Sequence, residues 1–373
     1  MVAPWRTATA VGVLLMLVAT AACSRGAPAS PTGAAPGQSA ASGKPFAGRT
    51  LRVATWGGDW VNGVKTSTGK LFEEQTGAKV EYVLGNPADN LTKLLATRGE
   101  PPFDVMQMDD LTEQTMIDKG LVEPVDHSKL PVSELFPEAA NVTKDYGPAF
   151  TMIPAVIAWV PSKYKELGLA PPKTFDDLFD PKLKGRVAYP GMRVGFAPLI
   201  LAGLAYGWEG DKDNVDAAMR KLKQLDARVY GATPEMATWL TNGEVYAAVT
   251  HTAQVVVMQN QGFELGYVYP QVKDKKSMVY WNMTDVIKGT KNRDMAEQWI
   301  AINLGKEAQD LMGRSNGVLP TNMAVAEEFS KDDKLKTLAI TPSDMSQMFR
   351  VDAKFINDNR EAWNDSWNRI MGS

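Results

Sequence analysis

Three stretches of this chain carry residues at spacings that suggest reaction chemistry. Gly313-Arg-Ser315-Asn-Gly317 has the G-x-S-x-G pattern that exposes a nucleophilic serine on a sharp strand-to-helix turn. Its flanks oppose that use. A helical stretch, Ala308 to Met312, precedes it, Val318-Leu319-Pro320 follows, and only His127 and His251 could act as base. Gly63 to Lys70 imitates a phosphate loop, but five residues separate Gly63 from Gly69, and Leu71 replaces the hydroxyl that would hold Mg²⁺. Asp109 and Asp110 with His251 could supply hard-metal ligands to a secreted metal-dependent enzyme. Adjacent carboxylates at a helix start also serve as caps favoured by the helix dipole. The residues favour binding without catalysis, metal or cofactor.

Aromatic residues make the stronger constellation. Trp56 and Trp60 bracket Gly57-Gly58-Asp59, and the glycine pair lets a ligand approach the backbone closely. Trp281, followed by Asn282, ends a later apolar run. Indole faces hold organic cations, so Trp56, Trp60 and Trp281 are expected to converge on a solvent-reachable pocket with Asp59 and Asp109 as acidic partners. Arg193, after Pro190-Gly191 and before a helix, could instead clamp a carboxylate or phosphonate. His251 and Asn282 complete the candidate ligand-binding set.

The elements that must position these residues alternate. Leu51 to Trp56 reads as a short strand, Val61 to Gln75 as a helix stopped by Gly77, and Lys79 to Leu84 as a second strand. Asp89 to Arg98 is helical, Phe103 to Gln107 is a strand, and the next helix begins near Asp109. This predicts an α/β domain with a largely parallel sheet, whose ligands sit outside the strands' carboxyl ends. Tyr146 to Val160, apolar with two prolines, suits extended segments crossing between domains. Thr174 and Asp177 form a capping box, and strands follow at Arg186 to Tyr189, Val245 to Val249 and Ser277 to Trp281. From Arg293 the pattern is mainly helical.

The amino terminus adds a targeting reading. Arg6 precedes an uncharged apolar run, Ala10 to Ala22, long enough for a signal-peptide core and short for a membrane span. Cys23, the only cysteine, follows directly. The arrangement resembles a bacterial lipoprotein signal, in which that cysteine carries the lipid, although Thr20 replaces the usual Leu. Ser24 to Gly48 is rich in Ala, Gly, Pro and Ser and reads as a flexible tether. The folded part is then expected to begin near Thr50 and to need two domains. Without residues 1–22 the net charge is about −4, and no basic block suggests nucleic acid.

Taken in order, several segments resemble the extracellular solute-binding proteins of bacterial ABC importers, particularly the spermidine/putrescine-binding type. They are Leu51-Arg-Val-Ala-Thr-Trp-Gly-Gly-Asp-Trp60, Phe72-Glu-Glu-Gln-Thr-Gly-Ala-Lys-Val80, Phe103-Asp-Val105, Gly120-Leu-Val122, Thr174-Phe-Asp-Asp-Leu178 and Lys184-Gly185. The resemblance implies a two-lobed α/β fold of the type II periplasmic-binding kind, each lobe a mostly parallel sheet flanked by helices. Residues 1–22 would be the signal peptide, 23–48 the lipidated Cys23 and tether, 49–155 plus 283–323 lobe 1, and 156–282 plus 324–373 lobe 2. It implies a monomeric receptor, lipid-anchored outside the cell membrane or in the periplasm, that delivers a solute to a permease and its ATPase. A sensor using the same cleft is an alternative. Aromatic positions of the family match Trp56, Trp60 and Trp281, and Asp59 matches an acidic one. Polyamine binders carry further carboxylates on the second lobe. The matching stretch here, Tyr189 to Phe196, has none and supplies Arg193, and after Trp281 the acid is displaced to Asp285. An unpaired buried ammonium is costly. A small amine-bearing solute is therefore preferred over a long polyamine, with an organic anion, amino-acid-like or phosphonate compound as the alternative.

Overall fold

Residues 43–372 are described by a computed structural model. The leader, Cys23 and most of the tether lie outside the described residues. Strand β1 (Thr50–Thr55) buries Leu51, Val53 and Ala54 completely, as a strand covered on both faces must. The chain returns through helical segments at Asp59–Val64, Lys65–Gly69 and Lys70–Thr76, the middle one a π-helical turn. Gly77 ends them at φ 75°, a left-handed conformation that a Cβ would strain. Strands β2 (Lys79–Leu84) and β3 (Val105–Asp109) flank β1, both parallel to it. After the short β4 (Val122–Glu123) comes β5, the 11-residue strand Ala149–Trp159.

Strands β6 (Val187–Pro190), β7 (Arg228–Tyr230) and β8 (Ala247–His251) form a second parallel block. The small β9 (Gly266–Val268) and β11 (Leu319–Pro320) pair with β5, and β10 (Val279–Ile287) lies between β3 and β5. The order β2-β1-β3-β10-β5-β8-β6-β7 thus sets a parallel block at each end, joined by two antiparallel strands. Along β5 the partners change. Residues up to Pro154 pair with β10 and β11, and those from Ala155 onward with β8 and β9.

These registers decide where a ligand could sit. Asp109 at the end of β3 is level with Asn282, which is level with Thr151 of β5. His251 at the end of β8 is level with Ala155. The carboxyl ends of both blocks therefore converge on the middle of β5, about 13 Å apart along it.

Two boundaries differ from the sequence reading. The folded body begins before Thr50, because the Phe46 N–H donates to the Thr76 carbonyl at 2.9 Å and its ring packs on the first core under Arg49. The helix Met323–Ser330 buries Val325 and Phe329 with Phe136, Met152 and Leu319, beside β10 and β11. A division at residue 324 would cut through that cluster. Beyond it, Phe349 and the terminal helix Ala353–Met371, through Ile356, Trp363 and Trp367, reach the core of the second block. The Thr174–Asp177 capping box is present, but it starts a 3-10 turn, Phe175–Phe179.

Candidate functional site

The floor of the site is a polar face laid across four strands. Side chains in a strand alternate faces, so residues level across a ladder share one. Asp109 and Asn282 are level, and so are Gln107 and Thr284. Thr55 of β1 donates its hydroxyl to Gln107 Oε1 at 2.7 Å. Trp60 Nε1 donates to the same oxygen at 3.3 Å, and Trp56 packs edge-on to Trp60 at 4.9 Å. Both indoles are half-buried, while Gly57, Gly58 and Asp59 are exposed at the rim. Gly58 has φ 63° and starts the helix Asp59–Val64. Asn282 is buried and its amide donates weakly to Thr151 Oγ1 at 3.4 Å.

Asp109 caps the helix Asp110–Asp118 by accepting from the Thr112 N–H at 2.8 Å through Oδ1. Its other oxygen points toward the second block: a Cβ placed on Gly195 would lie 3.8 Å from Oδ2. Gly195 follows Arg193, which is exposed. Phe196, next in the chain, stacks on Tyr280 at 5.9 Å and meets His251 edge-on at 5.2 Å. Burial, then Asp109 and Asp110, push the Tyr280 phenol well above its usual range. Burial lowers His251 to about 4, so the ring is neutral at pH 7, and Nδ1 accepts from the Gln254 N–H at 3.3 Å. His251 therefore caps the helix Thr252–Asn260 and presents a neutral aromatic edge.

Trp281 requires a correction. Its ring is 1 % exposed and packs with Phe136, Met152 and Met345. The guanidinium of Arg350 covers it, 4.9 Å from the ring centroid. The reason is strand alternation: with Asn282 on the polar face, Trp281 must point to the opposite one, and Tyr280 takes the aromatic position facing Asp109. Asp110 also lies behind, close to the Trp281 backbone N–H. Burial and then the Asp109 charge raise its carboxyl to about 7, against the opposing pull of that N–H and of Arg350. Asp285, on the Trp281 face, is fully buried beside Glu113 and cannot serve the floor.

Sequence reading therefore missed Gln107, Phe196 and Tyr280. Alternation from Asn282 identifies Tyr280, and alternation from Asp109 identifies Gln107. Phe196 had no local signal. The serine and phosphate-loop readings lose their geometry. Ser315 lies inside the helix Lys306–Asn316 and bonds to Asn316 Oδ1 at 2.6 Å. Gly63 to Lys70 is helical. Among the described residues no three His, Cys, Asp or Glu side chains converge as metal ligands. A surface recess of about 580 Å³ beside Arg49, Lys129, Arg293 and Asp294 holds charges already paired with one another.

Two parallel α/β blocks joined by crossing strands, with polar and aromatic residues at their facing ends, define a two-lobed solute-binding protein. The profile of the bacterial extracellular solute-binding proteins matches residues 68–337, and the chain belongs to that family. It is similar to the gamma-aminobutyric acid-binding protein of Pseudomonas aeruginosa, 24% identical over 334 residues, covering 86% of this chain and 90% of that one. It is also similar to spermidine/putrescine-binding periplasmic protein 1 of Haemophilus influenzae, 24% identical over 271 residues, covering 70% of this chain and 73% of that one. The crystal structure of an ABC transporter protein from Clostridium perfringens superposes with a TM-score of 0.69 at 26% identity, covering 86% of this chain and 99% of that one. The chain is a solute-binding receptor of the ABC-importer type. Its family and structural neighbours bind solutes and deliver them to a membrane permease and ATPase.

Proposed function

We propose that this receptor captures a small amine-bearing solute between Asp109 of the first block and the loop Gly191–Phe196 of the second. The observation that carries this reading is the Asp109 oxygen not used by the helix cap, which faces Gly195 of the second block near Tyr280 and Phe196, with the Trp56–Trp60 pair at the rim. A carboxylate with aromatic faces around it favours an ammonium group. The relatives named as binding gamma-aminobutyric acid and spermidine or putrescine support an amine. A ligand touching both blocks favours their approach through its differential affinity for the closed arrangement. On this reading the lobes divide near Pro154/Ala155 of β5, where the strand's partners change. The receptor is held at the membrane by lipid on Cys23 and acts as a monomer.

The test is Asp109→Asn, which keeps the helix cap, measured by calorimetric titration against amines and matched carboxylates. Amine affinity is expected to fall about 10- to 100-fold with carboxylate affinity unchanged. Loss of carboxylate binding alone in Arg193→Ala, with Asp109→Asn unaffected, favours an organic-anion receptor instead.

A further inference from the structure

The orientation of one buried amide carries the reading beyond the charge of the amine. Thr55 Oγ1 and Trp60 Nε1 both meet Gln107 Oε1. An indole N–H can only donate, so the oxygen of this amide must face Trp60 and the NH₂ must face away. That NH₂ is enclosed and has no acceptor among the described residues. Level with the neighbouring rung of the same face, Asn282 Oδ1 is also enclosed and without a donor. Gln107 is 1 % exposed and Asn282 2 %. A buried amide with unspent hydrogens is costly unless something accepts from it, so this amide calls for an acceptor.

We propose that Gln107 is a specificity-determining residue, whose NH₂ donates to an oxygen of the ligand. This rests on the amine reading above and narrows it. Gln107 and Asp109 are two residues apart on one strand face, about 7 Å along β3. The ligand then carries an ammonium group for Asp109 and an acceptor oxygen roughly that far away. The class is a short ω-amino acid or amino alcohol. A diamine places a second donor against the Gln107 NH₂ and leaves it unpaired, the situation in which a polar site rejects an analogue strongly.

The experiment compares ω-amino acids with diamines of equal length, three to six carbons, by calorimetric titration of the full chain. 4-Aminobutyrate against 1,4-diaminobutane is the central pair. Wild type is expected to favour the oxygen-bearing member at least about 10-fold. Gln107→Glu keeps the acceptor for Thr55 and Trp60 but turns the NH₂ into an oxygen, and is expected to reverse the preference. Gln107→Met should flatten it. Melting temperatures of the unliganded variants check that each is folded. A wild type that prefers diamines overturns the proposal while leaving the amine reading intact. So does an unchanged preference ratio in both variants, which would mean the NH₂ serves only an enclosed water. Gln107-dependent binding of amino acids that survives Asp109→Asn upholds the proposal and defeats the amine reading. Binding of no member of either series defeats both.

Discussion

Glu113→Gln should make the protein more stable at pH 8 than wild type, although it removes a charge from a fully buried position. Glu113 accepts from Thr143 Oγ1 at 2.9 Å through Oε1, and Asp285 accepts from the Gly147 N–H at 2.7 Å through Oδ1. Among the described residues the remaining oxygens, Glu113 Oε2 and Asp285 Oδ2, have no donor other than a proton shared between the two carboxyls. Burial first, then the facing carboxylate, raises Glu113 well above its ordinary range, and burial raises Asp285. An acid with a raised folded pKa contributes stability below its unfolded pKa, near 4, and loses it as pH rises through the folded value. For Asp285, raised to about 6, this corresponds to roughly 3 kcal/mol lost between about pH 4 and neutrality. Glutamine substitutes a permanent N–H for the shared proton. Its Oε1 still accepts from Thr143, and Asp285 can ionise with two donors. The expected gain at pH 8 is about 1–3 kcal/mol, shrinking toward zero at pH 5. Urea unfolding of both proteins at the two pH values measures it. His251 is common to both, so its titration cancels in the difference. A Glu113→Gln protein less stable than wild type at pH 8, or a difference independent of pH, would refute the shared-proton account.

Three further outcomes are expected. Trp281→Ala should destabilise the fold by about 3–5 kcal/mol through a cavity in its cluster, whereas Tyr280→Ala should cost ligand affinity with a smaller change in stability; denaturation and titration of both variants check this. His251, lowered to about 4 by burial, contributes stability above pH 6.5 that is lost as pH falls toward 4. His251→Asn should therefore flatten the acid side of the melting-temperature profile. Cys23→Ala should release the protein from membranes without altering its melting temperature, and equal retention after a salt wash would count against a lipid anchor.

Much of the fold was legible because its signals are local. The apolar run of β1, the left-handed stop at Gly77, the cap at Asp109 and the extended apolar stretch that became β5 each depend on a few neighbouring residues. The order of motifs along the chain was enough to suggest the family. Tertiary structure decided which side chains share a surface. Trp281 and Asn282 are adjacent in sequence, and a strand sends neighbours to opposite faces, so they could not both line one floor. Which of the two faced Asp109 was set by the β3–β10 register and by the cluster of Phe136, Met152 and Met345 waiting on the other side. Phe196 reaches Tyr280 and His251 only because the two parallel blocks meet at the middle of β5. The orientation of the Gln107 amide likewise depends on Thr55 and Trp60, about 50 positions earlier in the chain. Local pattern dictates backbone state and capping, where the interacting groups are a turn or less apart. The site arises from register and packing between distant segments, and its chemistry is fixed only when those segments meet.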